Sequence, residues 1–169
     1  MHIPNPLPRV GLVLAACVSL PFAAPAQAPA ARGFDAVAFF SGRTTGEGQL
    51  KKMFSAAQAT RVTGHGRIEG AVLVLDQTVQ IAGEPRRERQ WRLHAVSARN
   101  WTGTLSDARG PVNASAAGPV LTIAYTSNDG MGIVQTVTLS ADGRSARNLM
   151  KVKKFGMAVA TLDETIRRE

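Results

Sequence analysis

Cysteine is almost absent from this sequence, since Cys17 is the only one in 169 residues. A domain that begins after residue 17 therefore cannot hold a disulfide, a thiolate metal site or a cysteine nucleophile. Histidine occurs only at positions 2, 65 and 94, and aromatic residues make up 5% of the chain. The domain must be stabilised by side-chain packing.

Motifs of catalytic and nucleotide-binding sites are missing as well. No serine lies in a nucleophile-elbow pattern, and Gly46-Glu47-Gly48 is not followed by a helical pattern that could complete a phosphate-binding loop. His65 and His94 fall on strand faces that are predicted to meet water, without carboxylates at metal-ligand spacing. Aromatic residues do not alternate with basic ones as single-stranded nucleic-acid binding requires. We therefore predict no enzymatic activity, no metal, no cofactor and no nucleic-acid partner.

The charge of the chain is strongly basic. The net charge is +8 and the isoelectric point is about 10.8, while hydrophobic residues at 44% are sufficient for a packed core. Such a balance favours an anionic partner, although a well-solvated surface explains most of it equally well. Basic clusters at 51–52, 86–89 and 151–154 could contact an anionic membrane surface.

The first 31 residues have the layout of a secretory signal. Arg9 precedes an apolar run over 10–20 that is too short to span a bilayer, and small residues follow Pro21. We predict a signal peptide over 1–26, a flexible tether over 27–33 and a single domain over 34–169. The alternative is lipidation at Cys17, because Leu14-Ala15-Ala16-Cys17 resembles a bacterial lipobox. The protein is then exported to the periplasm, either soluble or lipid-anchored through Cys17.

The remaining sequence predicts strands. Short alternating segments recur every ten to fifteen residues and are separated by Gly, Asp, Asn and Ser. One helical turn over 34–40, with Phe39 and Phe40, is expected to cap one end. We expect nine strands, over 48–54, 60–68, 71–81, 88–96, 101–106, 120–126, 133–139, 145–152 and 156–165.

Side-chain parity indicates that these strands form a closed barrel. Gly64 and Gly66 fall on an inward row, where glycine lets a strand bend sharply as barrel closure requires. Apolar rows are expected on Trp91 and Leu93, on Leu121, Ile123 and Tyr125, and on Phe155, Met157 and Val159. The fold class is therefore all-β, a small antiparallel β-barrel of about eight to nine strands.

Short motifs are scattered over the predicted domain: Phe34-Asp35, Phe39-Phe40-Ser41-Gly42, Gly46, Leu75-Asp76, the run from Arg87 to Trp91, Gly103 with Asp107 and Gly110, and Lys154-Phe155-Gly156. Together they resemble the DUF3833 family, a group of exported proteobacterial proteins, many of them lipoproteins, with no established activity. The similarity covers residues 34–167 and implies a lipocalin-like (calycin-type) barrel in the cell envelope. Gln77 and the segment 135–139 depart from the family pattern, which puts in doubt any function that needs acidic or aromatic groups there.

Polar and aromatic residues in phase with the apolar rows are candidates for a ligand site. They are Arg89, Trp91, Trp101, Asp107 and Tyr125. A barrel of about eight strands can hold one small ligand, and a buried charge must be paired. Arg89 could meet an anionic headgroup, or it could pair with Asp107 as a structural plug. The two Trp side chains could equally belong to the core.

Two functions remain open from the sequence. The first is binding or carriage of a small hydrophobic or amphiphilic ligand, including an anionic lipid. The alternative is a non-enzymatic envelope scaffold or protein-interaction module with a filled barrel. A continuous interior void lined by Trp91, Tyr125 and Leu121 would favour the first function.

Overall fold

A computed structural model of the protein describes residues 33–169. The expected signal peptide over 1–26, Cys17 and all but the last residue of the expected tether over 27–33 lie outside the described residues. The elements are α1 (Ala36–Phe40), β1 (Gly42–Lys52), β2 (Ala57–Glu69), β3 (Val72–Ile81), β4 (Arg87–Ser97), β5 (Asn100–Leu105), β6 (Ala108–Ala117), β7 (Val120–Ser127), β8 (Gly132–Leu139), β9 (Ser145–Lys154) and β10 (Met157–Arg168).

The ten strands form one closed antiparallel barrel. Each strand pairs with the strands before and after it in the chain, and β1 pairs with β10 to close the sheet. Closure leaves no unpaired edge, and alternate residues point into the interior. The predicted all-β barrel fold is confirmed. Between residues 33 and 169, no helix is long and apolar enough to cross a membrane.

The barrel has two different ends. At the helix end, α1 lies below the turns that join β2 to β3, β4 to β5, β6 to β7 and β8 to β9. At the opposite end, called the mouth here, lie the turns that join β1 to β2, β3 to β4, β5 to β6, β7 to β8 and β9 to β10.

Helix α1 plugs the helix end with aromatic side chains, as the Phe pair predicted. Asp35 caps the helix by accepting a hydrogen bond from the backbone N–H of Ala38 at 3.0 Å. The rings of Phe34, Phe39 and Phe40 pack against one another, with centroids 5.0–6.3 Å apart, and all three are buried. The backbone N–H of Phe34 donates to the carbonyl of Gly118 at 2.8 Å, which ties the plug to the β6–β7 turn.

Strand β6 is the element that the sequence did not predict. Gly110 and Pro111 interrupt it, and the pairing with β7 shifts register between Arg109 and Asn113. Its inward residues beyond Val112 are small alanines, so the alternation that marks the other strands is weak. The barrel therefore has ten strands instead of the expected eight to nine.

The predicted apolar row of Phe155, Met157 and Val159 is wrong for its first two members, whereas Val159 packs against the core. Phe155 lies in the turn before β10 with a φ of +50°, and both Phe155 and Met157 are exposed. The pairing of β10 with β9 then shifts register between Ala158 and Ala160. This irregularity moves the inward row to Ala160, Leu162, Glu164 and Ile166.

Helix α1 packs closely against β2 at Gly66, where there is no side chain. A Cβ at this position would lie 1.8 Å from the carbonyl oxygen of Phe40. Gly66→Ala should therefore lower the free energy of unfolding by about 1–3 kcal/mol, as overpacking of a core does. Urea denaturation measures this change.

Gly132→Ala is the matched control, because a Cβ there has only the carbonyl oxygen of Lys153 at 4.0 Å. It should change the free energy of unfolding by no more than about 1 kcal/mol, in the stabilising direction. Equal stability of the two variants would show that α1 does not press against β2.

Candidate ligand-binding site in the barrel interior

The barrel encloses a cavity of about 560 Å³. Phe40 forms its floor, and most of its wall is aliphatic, including Leu50, Leu73, Leu75 and Val137. The mouth turns contribute Met53 and Met131 at the open end. The interior is therefore not filled by the protein's own side chains.

A buried polar cluster interrupts the apolar wall. Nδ2 of Asn148 donates hydrogen bonds to Oε2 of Glu164 at 3.0 Å and to Oε1 of Gln135 at 3.1 Å. All three residues are buried and line the cavity, and they come from β10, β9 and β8. Because these strands are neighbours in the sheet, inward side chains at matching heights form one continuous chain of hydrogen bonds.

Three atoms of the cavity lining have no hydrogen-bond partner among the described residues. They are Oε1 of Glu164, Oδ1 of Asn148 and Oγ1 of Thr60. An unpartnered buried acceptor costs about 1–3 kcal/mol of stability. Oδ1 of Asn148, together with Oε1 of Glu164 when that carboxyl is ionised, can accept hydrogen bonds from a polar group inside the cavity.

Glycines on β1 make room for the Glu164 carboxyl. A Cβ on Gly46 would lie 2.2 Å from Oε1 of Glu164, and a Cβ on Gly48 would lie 2.3 Å from the carbonyl oxygen of Asp163. Strand β1 therefore passes close beside β10 where Glu164 points inward. Any larger residue at Gly46 would occupy the space of the carboxyl group.

Burial controls the protonation of Glu164. The side chain is 5% exposed, and desolvation raises the pKa of its carboxyl above the ordinary value of 4.5. The hydrogen bond from Asn148 and the positive charge of Arg89 act in the opposite direction but do not cancel the effect of burial. The carboxyl therefore holds its proton to higher pH than an exposed glutamate does.

On the opposite wall of the cavity, the side chain of Gln77 binds both Arg89 and Trp91. Oε1 of Gln77 accepts hydrogen bonds from Nε1 of Trp91 at 2.7 Å and from Nε of Arg89 at 2.9 Å. The guanidinium carbon of Arg89 lies 5.4 Å from the centre of the Trp91 ring, within cation–π range. Gln77 thus orients both side chains, and all three line the cavity.

The structure separates the five candidate residues into two groups. Arg89 and Trp91 line the cavity, whereas Trp101, Asp107 and Tyr125 do not. Trp101 is buried in the core at the helix end, and the exposed Asp107 lies 4.0 Å from Nη1 of Arg89. Tyr125 stacks edge-on against Trp91 at 5.5 Å and accepts a long hydrogen bond from Gln135 at 3.4 Å. Burial raises the pKa of its phenol.

Sequence reasoning missed Glu164 and Asn148 as members of the site. Both were detectable in principle, because Glu164 is in phase with Leu162 and Ile166, and Asn148 with Ala146. The register shift near Ala158 hid the phase of β10. Gln77 and Gln135 were noted only for their departure from a family pattern.

Charged residues surround the mouth of the cavity. Lys52 pairs with Glu84, and Nη2 of Arg87 lies 3.7 Å from the same carboxylate. The hydrogen bond from Lys52 holds the pKa of Glu84 below its ordinary value. Since Lys52 ends β1 and Glu84 lies between β3 and β4, this pair joins two of the mouth turns.

Glu164→Gln should reveal the proton held by the buried carboxyl. A raised pKa in the folded protein means that folding is favoured below the ordinary value of 4.5 and that this contribution is lost as pH rises through the folded pKa. The amide keeps an oxygen for Asn148 but does not titrate. As pH rises from 4.5 through the folded pKa, the free energy of unfolding of Glu164→Gln should therefore increase relative to that of the parent protein.

Asp163→Asn is the matched control on the outer face of β10. Arg147 donates to Asp163 at 2.6 and 3.0 Å and holds the pKa of that carboxyl below its ordinary value of 3.8. The difference in free energy of unfolding between this variant and the parent should change with pH in the opposite direction. The reason is that a carboxyl with a lowered folded pKa stabilises the fold at pH values above that pKa. A difference between parent and Glu164→Gln that does not vary with pH would contradict the assignment.

Two solved structures are similar to this chain. The S-type phycobiliprotein lyase CPES from Guillardia theta superposes with a TM-score of 0.61 at 5% identity, covering 79% of this chain and 90% of the lyase. The protein EF1p2_mFAP2b, solved bound to DFHBI, matches with a TM-score of 0.44 at 10% identity, covering 79% of this chain and 97% of that protein. No curated protein sequence matches the chain. At such low identity, the lyase shows the fold alone.

The sequence profile of one family covers almost the whole chain, from residue 12 to residue 168. This span includes the complete barrel, the plug α1 and every residue of the buried polar cluster. The protein belongs to DUF3833, a family described as proteins of unknown function.

Proposed function

We propose that the protein binds and carries one small, mainly apolar ligand inside the barrel, and that the ligand donates a hydrogen bond to the Glu164–Asn148 pair. The observation that carries this proposal is the pair of unpartnered acceptor atoms, Oε1 of Glu164 and Oδ1 of Asn148, in the wall of an otherwise aliphatic cavity. A buried polar group that lowers the stability of the fold and forms no hydrogen bond within the domain is suited to binding a ligand.

The volume and lining of the cavity support a small molecule. A cavity of about 560 Å³ lies within the range of about 300–1,000 Å³ that is usual for ligand pockets. Such pockets are mostly apolar and carry a few polar groups that orient the ligand. The filled barrel, which was the alternative expected from the sequence, disagrees with a cavity of this size.

The polar atoms favour a particular ligand chemistry. Oδ1 of Asn148 accepts hydrogen bonds at any pH, and Oε1 of Glu164 accepts them once the carboxyl has lost its proton. A hydroxyl or amine therefore fits these atoms better than a group that only accepts. Arg89 is already engaged by Gln77 and Trp91. An alcohol, an amine or a protonated acid with an apolar body therefore fits this part of the cavity better than an ionised lipid headgroup.

We propose binding and not catalysis for this site. Among the described residues, the cavity lining contains two carboxyls, and Glu84 at the mouth is engaged by Lys52. Glu164 thus has no second free carboxyl beside it for paired acid–base work. Within residues 33–169, no three His, Cys, Asp or Glu side chains lie where they could hold a metal ion.

We place this binding role in the periplasm. The support is the signal-like pattern of residues 1–26, and the protein is then either soluble or anchored through Cys17. Transfer of an apolar molecule through an aqueous compartment needs a protein that encloses it, because exposed apolar surface is unfavourable in water.

Filling the cavity should prevent ligand uptake. Ala160 lines the cavity near the mouth, so Ala160→Trp places an indole in the space of the ligand. Uptake of the fluorescent alcohol parinaryl alcohol should weaken by about tenfold or more, which corresponds to the loss of at least about 1.4 kcal/mol of contacts. Fluorescence titration measures the affinity.

Thr161→Trp is the control for Ala160→Trp, because Thr161 is the next residue of β10 and is exposed. This variant should bind the alcohol like the parent protein. Thermal unfolding of both variants checks that each is folded. Equal binding by the two variants would place the probe outside the barrel.

The hydrogen-bond donor of the ligand can be tested with matched probes. Parinaryl alcohol can donate to Glu164, whereas its methyl ether cannot. The alcohol should bind more tightly than the ether by about tenfold or more, because a hydrogen bond to a charged or buried acceptor contributes about 1.5–3 kcal/mol. In Glu164→Leu the preference for the alcohol should shrink, because only Oδ1 of Asn148 remains as an unpartnered acceptor of the pair. An undiminished preference for the alcohol would show that Glu164 is not the acceptor.

A further inference from the structure

We propose that the mouth of the barrel docks on an anionic lipid bilayer through two neighbouring turns that carry exposed apolar side chains. The docking tip consists of Met53 and Phe54 in the β1–β2 turn and of Phe155 and Met157 at the β9–β10 turn. The proposal names the partner of the ligand-binding cavity and in that respect rests on the proposed function. The docking step itself needs only the tip and its surrounding charges.

The tip exposes more apolar surface than folding requires. Phe54 is 98% exposed and Phe155 is 90% exposed, while Met53 and Met157 are 44% and 62% exposed. The two turns lie side by side because β1 pairs with β10, and the backbone N–H of Met53 donates to the carbonyl of Val159 at 2.9 Å. Four exposed apolar side chains on adjacent turns form one projecting patch, and such patches mark interaction sites.

Backbone conformation indicates that the two Phe residues are not there for folding. Phe54 has a φ of +62° and Phe155 a φ of +50°, and they are the only non-glycine residues of the described chain with positive φ. This left-handed conformation is unfavourable for bulky side chains and suits glycine or asparagine. Since neither ring is buried, the domain gains no core packing in return. A strained residue that is retained without packing points to a role outside the fold.

The charges beside the tip select the partner. Lys51, Lys151, Lys153 and Lys154 are exposed, and none forms an ion pair with a carboxylate in the described part of the chain. Nζ of Lys154 lies 5.8 Å from the centre of the Phe155 ring. Aromatic rings at headgroup depth with lysines around them match the surface of a bilayer that contains anionic lipid.

The docking tip is continuous with the cavity. The cavity mouth is lined by Lys52 at the end of β1, by Met53 in the β1–β2 turn and by Val159 near the start of β10. Docking through the tip would therefore bring the mouth to the bilayer surface. An apolar ligand could then pass between bilayer and barrel with little exposure to water.

Loss of the two rings should abolish docking without harming the fold. Phe54→Asn together with Phe155→Asn removes both rings and suits the positive φ. The affinity for vesicles of phosphatidylcholine and phosphatidylglycerol, measured by co-sedimentation, should fall by about tenfold or more, because two interfacial aromatic anchors are lost. Urea unfolding should show a domain that is at least as stable as the parent.

The matched control is Ile68→Thr together with Val96→Thr, which removes two exposed apolar side chains at the helix end. This control should bind vesicles like the parent. All variants are made in the full chain, so that any membrane affinity of residues 1–32 is common to them. Equal vesicle binding by the Phe variant, or unfolding of that variant, would overturn the proposal.

The lysines can be tested with a charge-matched pair of variants. Lys151→Gln, Lys153→Gln and Lys154→Gln together should weaken binding about a hundredfold, since each basic residue near an anionic surface contributes about 1 kcal/mol. Arg99→Gln, Arg144→Gln and Arg168→Gln at the helix end remove the same charge and should have little effect. Equal losses in both triple variants would mean that net charge, and not the docking tip, governs binding.

Two further results separate docking from the proposed function. Parinaryl alcohol binding without vesicles should be unchanged in the Phe variant, because neither ring lines the cavity. Vesicle docking without any uptake of the alcohol would support the docking tip and refute the ligand. Self-association that depends on Phe54 and Phe155, without vesicle binding, would assign the tip to a second copy of the chain and overturn the membrane proposal.

Discussion

The pairing of β1 with β10 is the contact on which the rest of the structure depends. It closes the sheet, so that inward side chains share one interior. The same pairing sets Gly48 opposite Glu164 and lets the carboxyl occupy the space beside Gly46. It also brings the β1–β2 and β9–β10 turns together, which creates the apolar tip at the mouth.

The buried carboxyl of Glu164 is the main departure from an interior designed for stability alone. A leucine would fill its position without desolvating a polar group and would remove the unpartnered Oε1. The domain instead builds a hydrogen-bonded chain from Glu164 through Asn148 and Gln135, with the cavity on one side. The two exposed Phe residues with positive φ are a second departure of the same kind. Sites that oppose local stability are where function is expected.

Alternation of apolar residues was sufficient to predict a closed barrel, because rows such as Leu121, Ile123 and Tyr125 give clear inward faces. It was insufficient for β6, whose glycine and proline interrupt the pattern, and for the start of β10, where an irregular residue shifts the phase. Trp91 and Arg89 were found from their phase. The contact between Asn148 and Glu164 could not be predicted, because it depends on the register of two strands, which single-sequence periodicity does not contain.

The central claim is that the interior holds a ligand whose polar group meets Glu164 and Asn148. A crystal structure of the protein with parinaryl alcohol tests it most directly. The account predicts density for the probe inside the barrel, with its hydroxyl within hydrogen-bond distance of Oε1 of Glu164 or Oδ1 of Asn148. A probe bound only on the outer surface, or an interior closed by rearranged side chains, would contradict it.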